Sequence, residues 1–339
     1  MLRAIELSEK GMGQVAPNPM VGAVLVHNDI IIGEGYHAKY GEAHAEVNCI
    51  KNVAPENQHL IKEATLYVTL EPCSHQGKTP PCVDLILANG IKEVVIAHLD
   101  PFEKVNGTGA SKLRASGVNV IVGILEKEAR FMNRRFLTFI EKKRPYIILK
   151  WAESADGFMA PEGNEPYWLS SHESKTLTHK WRSEEASIMV GYNTVLHDNP
   201  MLTTRLYKGK NPIRVVIDRD ATLPSTLAVF DGAVETFILN KLKADKMDNV
   251  QYLQCNTDNP QSILNTLYAK KIESVFIEGG AKTLQLFLKS NLWDEICVFK
   301  TEKNLFNGLK APSLKLAASC EHQISTDKLS IYKNPENGF

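Results

Sequence analysis

Three side chains suited to zinc come close together in the chain: His44 in "HAEV", Cys73 in "EPC" and Cys82 in "PPC". One imidazole and two thiolates can hold zinc tetrahedrally and still leave the fourth position to water. Zinc lowers the pKa of that water until hydroxide exists near neutral pH. Glu46, two residues after His44, is placed to move a proton from that water to a leaving amine. The implied chemistry is hydrolysis at a carbon that carries nitrogen. The spacing is unusual: eight residues, "SHQGKTPP", separate the two cysteines, where a zinc half-site commonly has two.

Local structure must deliver these groups. "HAEVNCIKNV" has helical spacing and puts His44 and Glu46 in a first turn. "ATLYVTL" reads as a strand that ends just before Cys73. "PPCVDLILANG" reads as a helix with proline in its first turn and Gly90 past its last. Cys82 therefore stands at a helix N-terminus, where the dipole favours thiolate over thiol. His-x-Glu alone means little. A helix carrying it, followed by a strand that ends in Glu-Pro-Cys, is the order of the zinc nucleobase deaminases. Cys49, Cys255, Cys297 and Cys320 read as ordinary core residues.

"MLRAIELSEKGMG" reads as an amphipathic helix ending at Gly11, with too many charges for a signal peptide. "MVGAVLV" and "DIIIGEGYH" form a hairpin around His27-Asn28-Asp29. "KEVVIAHL", "ASKLRASG", "VNVIVGI" and "LEKEARFMNRRFLTFIEKK" continue as strand, helix, strand and one long helix. Alternation of this kind predicts an α/β fold with a mainly parallel sheet. The pattern restarts at Arg144-Pro145, giving two expected domains, 1–144 and 145–339, in keeping with about 150 residues per domain. The second half alternates again, from "YIILKWAESADG" through the helix "SHESKTLTHKWRSE" to the strand "DEICVFKT". It lacks a GxGxxG fingerprint, but "SVFIEGGAKTLQLFL" is a strand, two glycines and a helix, whose backbone amides could approach a pyrophosphate.

The 339 residues carry 39 basic and 39 acidic side chains, which gives no bulk electrostatic case for nucleic acid or anionic lipid. No membrane span or secretion signal is visible, and six cysteines are expected as reduced thiols in a cytoplasmic protein. The expected partners are small molecules, with no nucleic acid and no membrane. The sequence permits a homo-oligomer.

"APNPMVGAVLV", "YGEAHAEVNCI" and "VTLEPCSHQGKTPPCVDLI" together resemble the deaminase half of the bifunctional riboflavin-biosynthesis family. There a diaminohydroxyphosphoribosylaminopyrimidine deaminase is fused to a 5-amino-6-(5-phosphoribosylamino)uracil reductase, and the long gap between cysteines is the rule. "LKWAESADG", "YWLSS", "VGYNTVLHDNPMLTTR", "PIRVVIDRD" and "IEGGAKTL" follow in the order of the reductase half. The resemblance implies a cytidine-deaminase-like three-layer α/β/α domain, then a dihydrofolate-reductase-like α/β domain, with zinc and NADPH as cofactors. It implies that Asn18, His37, His75, Lys78 and Thr79 hold the pyrimidine and ribose phosphate of the deaminase substrate. NADPH contacts are implied for Ala152, Trp168, Thr194, Asp198, Arg219, Gly280, Ala281, Lys282, Thr283, Leu284, Gln285 and Leu286. Pro166, Arg182, Leu202, Arg205 and Glu278 fall at positions implied to bind the reductase substrate; Lys150 fits either that role or a strand surface. Arg182 and Arg205 suit a phosphate, because a planar guanidinium can grip two of its oxygens. The sequence departs from the family pattern at "ESADG", at Pro166, where serine is frequent, and at Arg219, where a small residue is common.

Three other readings of the residues stay open at this point. One is a zinc deaminase of a free base, nucleoside or transfer RNA with an accessory second domain. Another is a zinc-stabilised binding module in which Glu46 is an ordinary helix residue. The third is a chain in which only one half is active.

Overall fold

In the computed structural model, which describes residues 1–75, 80–102, 106–163 and 167–337, contacts divide the chain into two units, Met1–Lys142 and Lys143–Gly338. The first unit runs α1 (Leu2–Glu9), β1 (Gly22–His27), β2 (Ile30–Tyr36), α2 (Ala45–Lys51), β3 (Thr65–Leu70), α3 (Cys82–Ala88), β4 (Glu93–His98), α4 (Thr108–Ala115), β5 (Asn119–Val122), α5 (Glu126–Met132) and α6 (Arg134–Glu141). Its sheet has the order β2-β1-β3-β4-β5. The hairpin turns at Asn28 and Asp29, both with positive φ, a conformation these two residue types tolerate. Strand β1 is antiparallel to both β2 and β3, whereas β3, β4 and β5 are parallel, so the sheet is more mixed than alternation alone predicts.

Side chains alternate across this sheet as a two-residue period requires. Ala23, Leu25, Leu66, Val68, Val94 and Ile96 face one way, into a core shared with Cys49 of α2, Val83 and Ile86 of α3 and Leu113 of α4. Val24 faces the other way, against Ala4 and Leu7 of α1, and Ala97 joins Ala129 of α5. Helices on both faces make the expected three layers. The single long helix expected over 125–143 is two helices. Asn133 breaks it at φ −90°, ψ 16°, where its side chain accepts from the Met20 amide and donates to the Met20 carbonyl, a pull stronger than the local helical pattern.

The second unit contains β6 (Tyr146–Glu153), β7 (Phe158–Ala160), α7 (His172–Glu184), β8 (Ser187–Gly191), α8 (Tyr192–Asp198), β9 (Ile213–Ile217), β10 (Thr236–Asn240), β11 (Asp245–Met247), β12 (Val250–Gln254), α9 (Pro260–Ala269), β13 (Ser274–Gly279), α10 (Ala281–Lys289), β14 (Glu295–Lys300), β15 (Leu309–Lys310), β16 (Cys320–Ile324) and β17 (Asp327–Lys333). The large sheet is ordered β11-β12-β10-β9-β8-β13-β6-β14-β17-β16, parallel from β12 to β14 and antiparallel at both ends. Ile147, Leu149 and Trp151 of β6 pack with Ile263 and Leu267 of α9 and Leu284 and Phe287 of α10. Tyr146 and Ile148 point to the opposite face, toward Leu177 and Trp181 of α7. Arg144 and Asp294, both buried, form a two-pronged ion pair at 2.6 Å that ties the entry of β6 to the entry of β14.

Candidate active sites

Three short features of the chain converge in the first unit. His44 is the N-cap of α2, Cys82 is the first residue of α3, and Cys73 follows β3. Both thiol sulfurs lie near His44 Nδ1, Cys73 at 3.7 Å and Cys82 at 3.4 Å, and the three donor atoms all lie within 4.8 Å of one another. A zinc ion about 2.0–2.3 Å from each donor would hold them roughly 3.3–3.8 Å apart, so the donor set fits the metal. The Cys82 amide donates to Cys73 Sγ at 3.3 Å and the Val83 amide to the Cys73 carbonyl at 3.2 Å, which locks the two ends of the intervening loop together. The hydrogen bond from the Cys82 thiol lowers the pKa of Cys73, with His44 adding to it. The thiolate so formed, together with burial, pushes Cys82 up.

Glu46 is buried in the first turn of α2, two residues after His44. Burial raises its pKa to about 7. Beside the cluster, the His37 ring packs edge-on against His44 with centroids 5.5 Å apart. His37 Nδ1 lies 3.0 Å from the Ala43 carbonyl and Nε2 lies 3.1 Å from Asn18 Nδ2. A carbonyl can only accept, so Nδ1 carries the proton and Nε2 accepts from the Asn18 amide. The Asn18 carbonyl oxygen is thereby turned away from His37. Burial holds the His37 pKa below the usual histidine value, which keeps this arrangement neutral.

His75 is exposed just beyond Cys73, and Lys78 and Thr79 lie outside the described residues. Glu71 is a residue the sequence reading missed. It is buried and accepts from the amides of Asp100, Gly107 and Ala110, fixing the turn that carries Cys73 against the start of α4. Its acidic character next to Pro72-Cys73 was visible; its partners, 29 to 39 residues away, were not.

In the second unit the sites gather at the C-terminal ends of the parallel strands, where open α/β sheets bind ligands. The register pairs Ile277 with Leu149, so that Glu278 and Lys150 stand side by side on β13 and β6. Arg182 of α7 grips Glu278 with Nε and Nη2 at 2.5 and 2.7 Å, and donates from Nη1 to the Thr203 carbonyl at 3.0 Å. Burial alone would raise the Glu278 pKa; Arg182 overrides it and holds the carboxylate below its usual range. Burial lowers the pKa of Lys150, Glu278 opposes that, and Arg182 adds to it. Arg205 donates to Thr203 Oγ1 at 3.3 Å, and Leu202 is buried with positive φ between these groups and α8. His179, also missed from the sequence, joins the group. Its signal was spacing, since it precedes Arg182 by three residues on one helix face.

A second convergence surrounds the two glycines. Gly280 is the N-cap of α10, and the helix start has no side-chain cap and no acidic residue. A Cβ on Gly280 would come within 3.1 Å of Thr194 Oγ1, and one on Gly191 within 2.5 Å of Thr283 Oγ1. The β8–α8 and β13–α10 turns are therefore in contact, bringing Thr194 to the segment Gly280, Ala281, Lys282, Thr283, Leu284, Gln285 and Leu286. Asp198 ends α8 with its side chain exposed, and partial desolvation raises its pKa. Ala152 lies near the end of β6, and Trp168 is exposed with the Lys175 ammonium 4.5 Å from its ring centroid. Arg219 follows β9; its carbonyl accepts from the Lys241 amide at 2.9 Å, and Lys241 shares Asp258 with it. Lys241 is a further cation at this edge that the sequence reading did not single out. Pro166 lies outside the described residues.

A zinc-type triad on a three-layer domain and a cluster of charged side chains at the strand ends of a second α/β domain are what a two-domain enzyme whose halves perform different chemistry would show. Residues 1–98 match the cytidine and deoxycytidylate deaminase zinc-binding region, and residues 145–302 match the RibD C-terminal domain. The chain belongs to the family of the riboflavin biosynthesis protein RibD. It is 39% identical to the Aquifex aeolicus member over 98% of this chain and 94% of that one, and 42% identical to the Bacillus amyloliquefaciens member over 93% and 86%. A solved structure from Thermotoga maritima, a diaminohydroxyphosphoribosylaminopyrimidine deaminase/5-amino-6-(5-phosphoribosylamino)uracil reductase, superposes with a TM-score of 0.91 at 37% identity, covering 98% of this chain and 97% of that one. The chain is thus a bifunctional deaminase and reductase of riboflavin biosynthesis, using zinc in its first half and NADPH in its second.

Proposed function

We propose that the first unit deaminates 2,5-diamino-6-(5-phosphoribosylamino)pyrimidin-4-one. The second unit then reduces the ribosyl group of the resulting 5-amino-6-(5-phosphoribosylamino)uracil to ribityl with NADPH. The carrying observation is a His44, Cys73 and Cys82 cluster of zinc dimensions with the buried Glu46 two residues after His44 on the same helix start. His44 Nδ1 and the sulfurs of Cys73 and Cys82 would hold zinc, which when bound would supply Lewis-acid activation of water. Glu46 would take a proton from the water and pass it to the departing amine, since it is the buried carboxylate in the helix turn that His44 caps. Asn18, oriented by His37, offers its carbonyl oxygen to an amine of the pyrimidine. His75, Lys78 and Thr79 meet the ribose phosphate.

For the reductase, the start of α10 with Thr194 and Asp198 receives the dinucleotide, its pyrophosphate near the uncapped amides. Trp168 and Ala152 flank the nicotinamide end, and Arg219 with Lys241 meets the 2′-phosphate. Glu278, fixed by Arg182, and Lys150 orient the sugar for hydride transfer to C1, while Arg205, Leu202 and Pro166 enclose its phosphate end. No covalent nucleophile is needed; positioning and charge stabilisation suffice. The cytoplasm is the assigned compartment, because both Cys73 and Cys82 must stay reduced to bind zinc.

A single incubation tests the pair of reactions. Purified protein with the diaminopyrimidine substrate should release ammonia and then oxidise NADPH in equal amounts. Ammonia release without NADPH oxidation would exclude the second assignment, and no ammonia release in the presence of zinc would exclude the first.

A further inference from the structure

His179 stands in an unusual electrostatic position for a histidine. It is 6% exposed, on α7, three residues before Arg182. Charged groups reach it from every side of the strand edge: Arg182 from α7, Arg205 from the loop after α8, Lys150 from β6, and the one acid, Glu278, from β13. The Leu206 amide donates to its Nδ1 at 3.5 Å. An amide N–H can only donate, so Nδ1 carries the lone pair and the neutral ring has its proton on Nε2. Burial, then Arg182 and Arg205, depress its pKa to about 4 and exclude the imidazolium. Nε2 has no hydrogen-bond partner among the described residues.

Three cations and one carboxylate leave this corner with two surplus positive charges, the complement of a phosphate monoester dianion. Arg182 has its Nε and Nη2 edge committed to Glu278, so Arg205 is the guanidinium there that no carboxylate engages among the described residues. We propose that His179 is a phosphate-binding residue of the reductase site, its Nε2–H donating to a phosphoryl oxygen of the phosphoribosylamino substrate beside Arg205. This assignment rests on the reductase substrate proposed above.

A neutral donor adds hydrogen-bonding direction without adding charge, and its loss should act on substrate binding alone. Replacing it with leucine, H179L, should raise KM for 5-amino-6-(5-phosphoribosylamino)uracil about tenfold, the scale of one hydrogen bond to a charged group, with kcat changed less than twofold. The KM for NADPH should stay constant, as should kcat/KM for the dephosphorylated substrate. Glutamine, whose amide can occupy the Nε2 position, should restore most of the loss in H179Q. Equal losses on both substrates would reduce His179 to a structural residue and overturn the proposal. A raised KM for NADPH would transfer the contact to a cofactor phosphate and overturn it too. A wild-type enzyme indifferent to the substrate phosphate would remove the substrate reading itself, and the assignment with it. Should H179L fail to fold, nitrogen-15 NMR of the wild-type histidines decides: the protonated Nε2 of His179 should shift on adding the phosphorylated substrate without NADPH, and an unmoved signal overturns the proposal.

Discussion

At the scale of single residues, the same carboxyl group behaves differently according to what surrounds it. Glu278 meets Arg182 and is held below the usual carboxylate range, whereas Glu46 is buried and its pKa is raised. Glu46→Gln keeps the shape and hydrogen-bonding capacity of that side chain but cannot carry a proton. Ammonia release should fall by a factor on the order of 10²–10⁴, while the zinc content measured by metal analysis stays at the wild-type level. Surviving deamination in Glu46→Gln would return the site to a structural zinc module. Glu273 shows a third environment. It is buried at the entry of β13, and burial raises its pKa from 4.5 to about 7. Between those values the unfolded chain releases a proton that the folded protein keeps, so stability falls as pH rises, and the loss is complete above about 7. Glu273→Gln removes this cost, which is at most about 3 kcal/mol. The variant should raise the melting temperature at pH 8 and barely change it at pH 4; an equal change at both would show that ionisation of Glu273 is not the cause.

At the scale of elements, the zinc ligands were legible because each sits where a strand or helix begins or ends, and those boundaries are written in prolines, glycines and apolar periods. Cys82 after Pro80-Pro81 is an example. The C-terminal hairpin β16–β17 was not legible, because every residue of "CEHQI" is exposed or only partly buried and no alternation marks it as a strand. Nor could the break at Asn133 be read, since its partner is Met20, far away in sequence. His179 and Glu71 escaped for the same reason, because their roles come from neighbours on other elements. The seating of α2 is one feature whose cause can be tested. A Cβ on Gly35 of β2 would lie 2.2 Å from the Cys49 amide and 2.5 Å from the Ala45 carbonyl, both backbone atoms of α2. Asn48 of α2 and Asn52, which caps its C-terminus, also donate to the carbonyls of Tyr36 and Glu34 at 2.9 Å. Helix and strand therefore cannot separate cheaply, and α2 carries His44 and Glu46 at its start. Gly35→Ala should cost about 1–3 kcal/mol of stability, read by chemical denaturation, and should weaken zinc retention in competition with a chelator. Unchanged zinc affinity in a destabilised variant would show that the helix N-terminus does not depend on this seat.

At the scale of the whole molecule, two chemistries share one chain without sharing a residue. The His44, Cys73 and Cys82 cluster draws on α2, β3 and α3, all in Met1–Lys142, and the residues proposed for the reductase draw chiefly on β6, α7, α8, β13 and α10, all in Lys143–Gly338. Each unit has its own sheet and its own buried core. Removing zinc should accordingly act on one reaction only. With a chelator present, ammonia release from the diaminopyrimidine should vanish, and NADPH oxidation with that substrate should vanish as well, for want of the deaminated intermediate. Supplying 5-amino-6-(5-phosphoribosylamino)uracil directly should restore NADPH oxidation at the untreated rate, and returning zinc should restore ammonia release. Loss of the direct reduction after chelation would mean that the metal supports the second unit too, and the separation of chemistry by domain would fail. Direct reduction that persists while NADPH oxidation from the diaminopyrimidine also persists would instead mean that the reductase accepts the undeaminated pyrimidine, which would reverse the assigned order of the two steps.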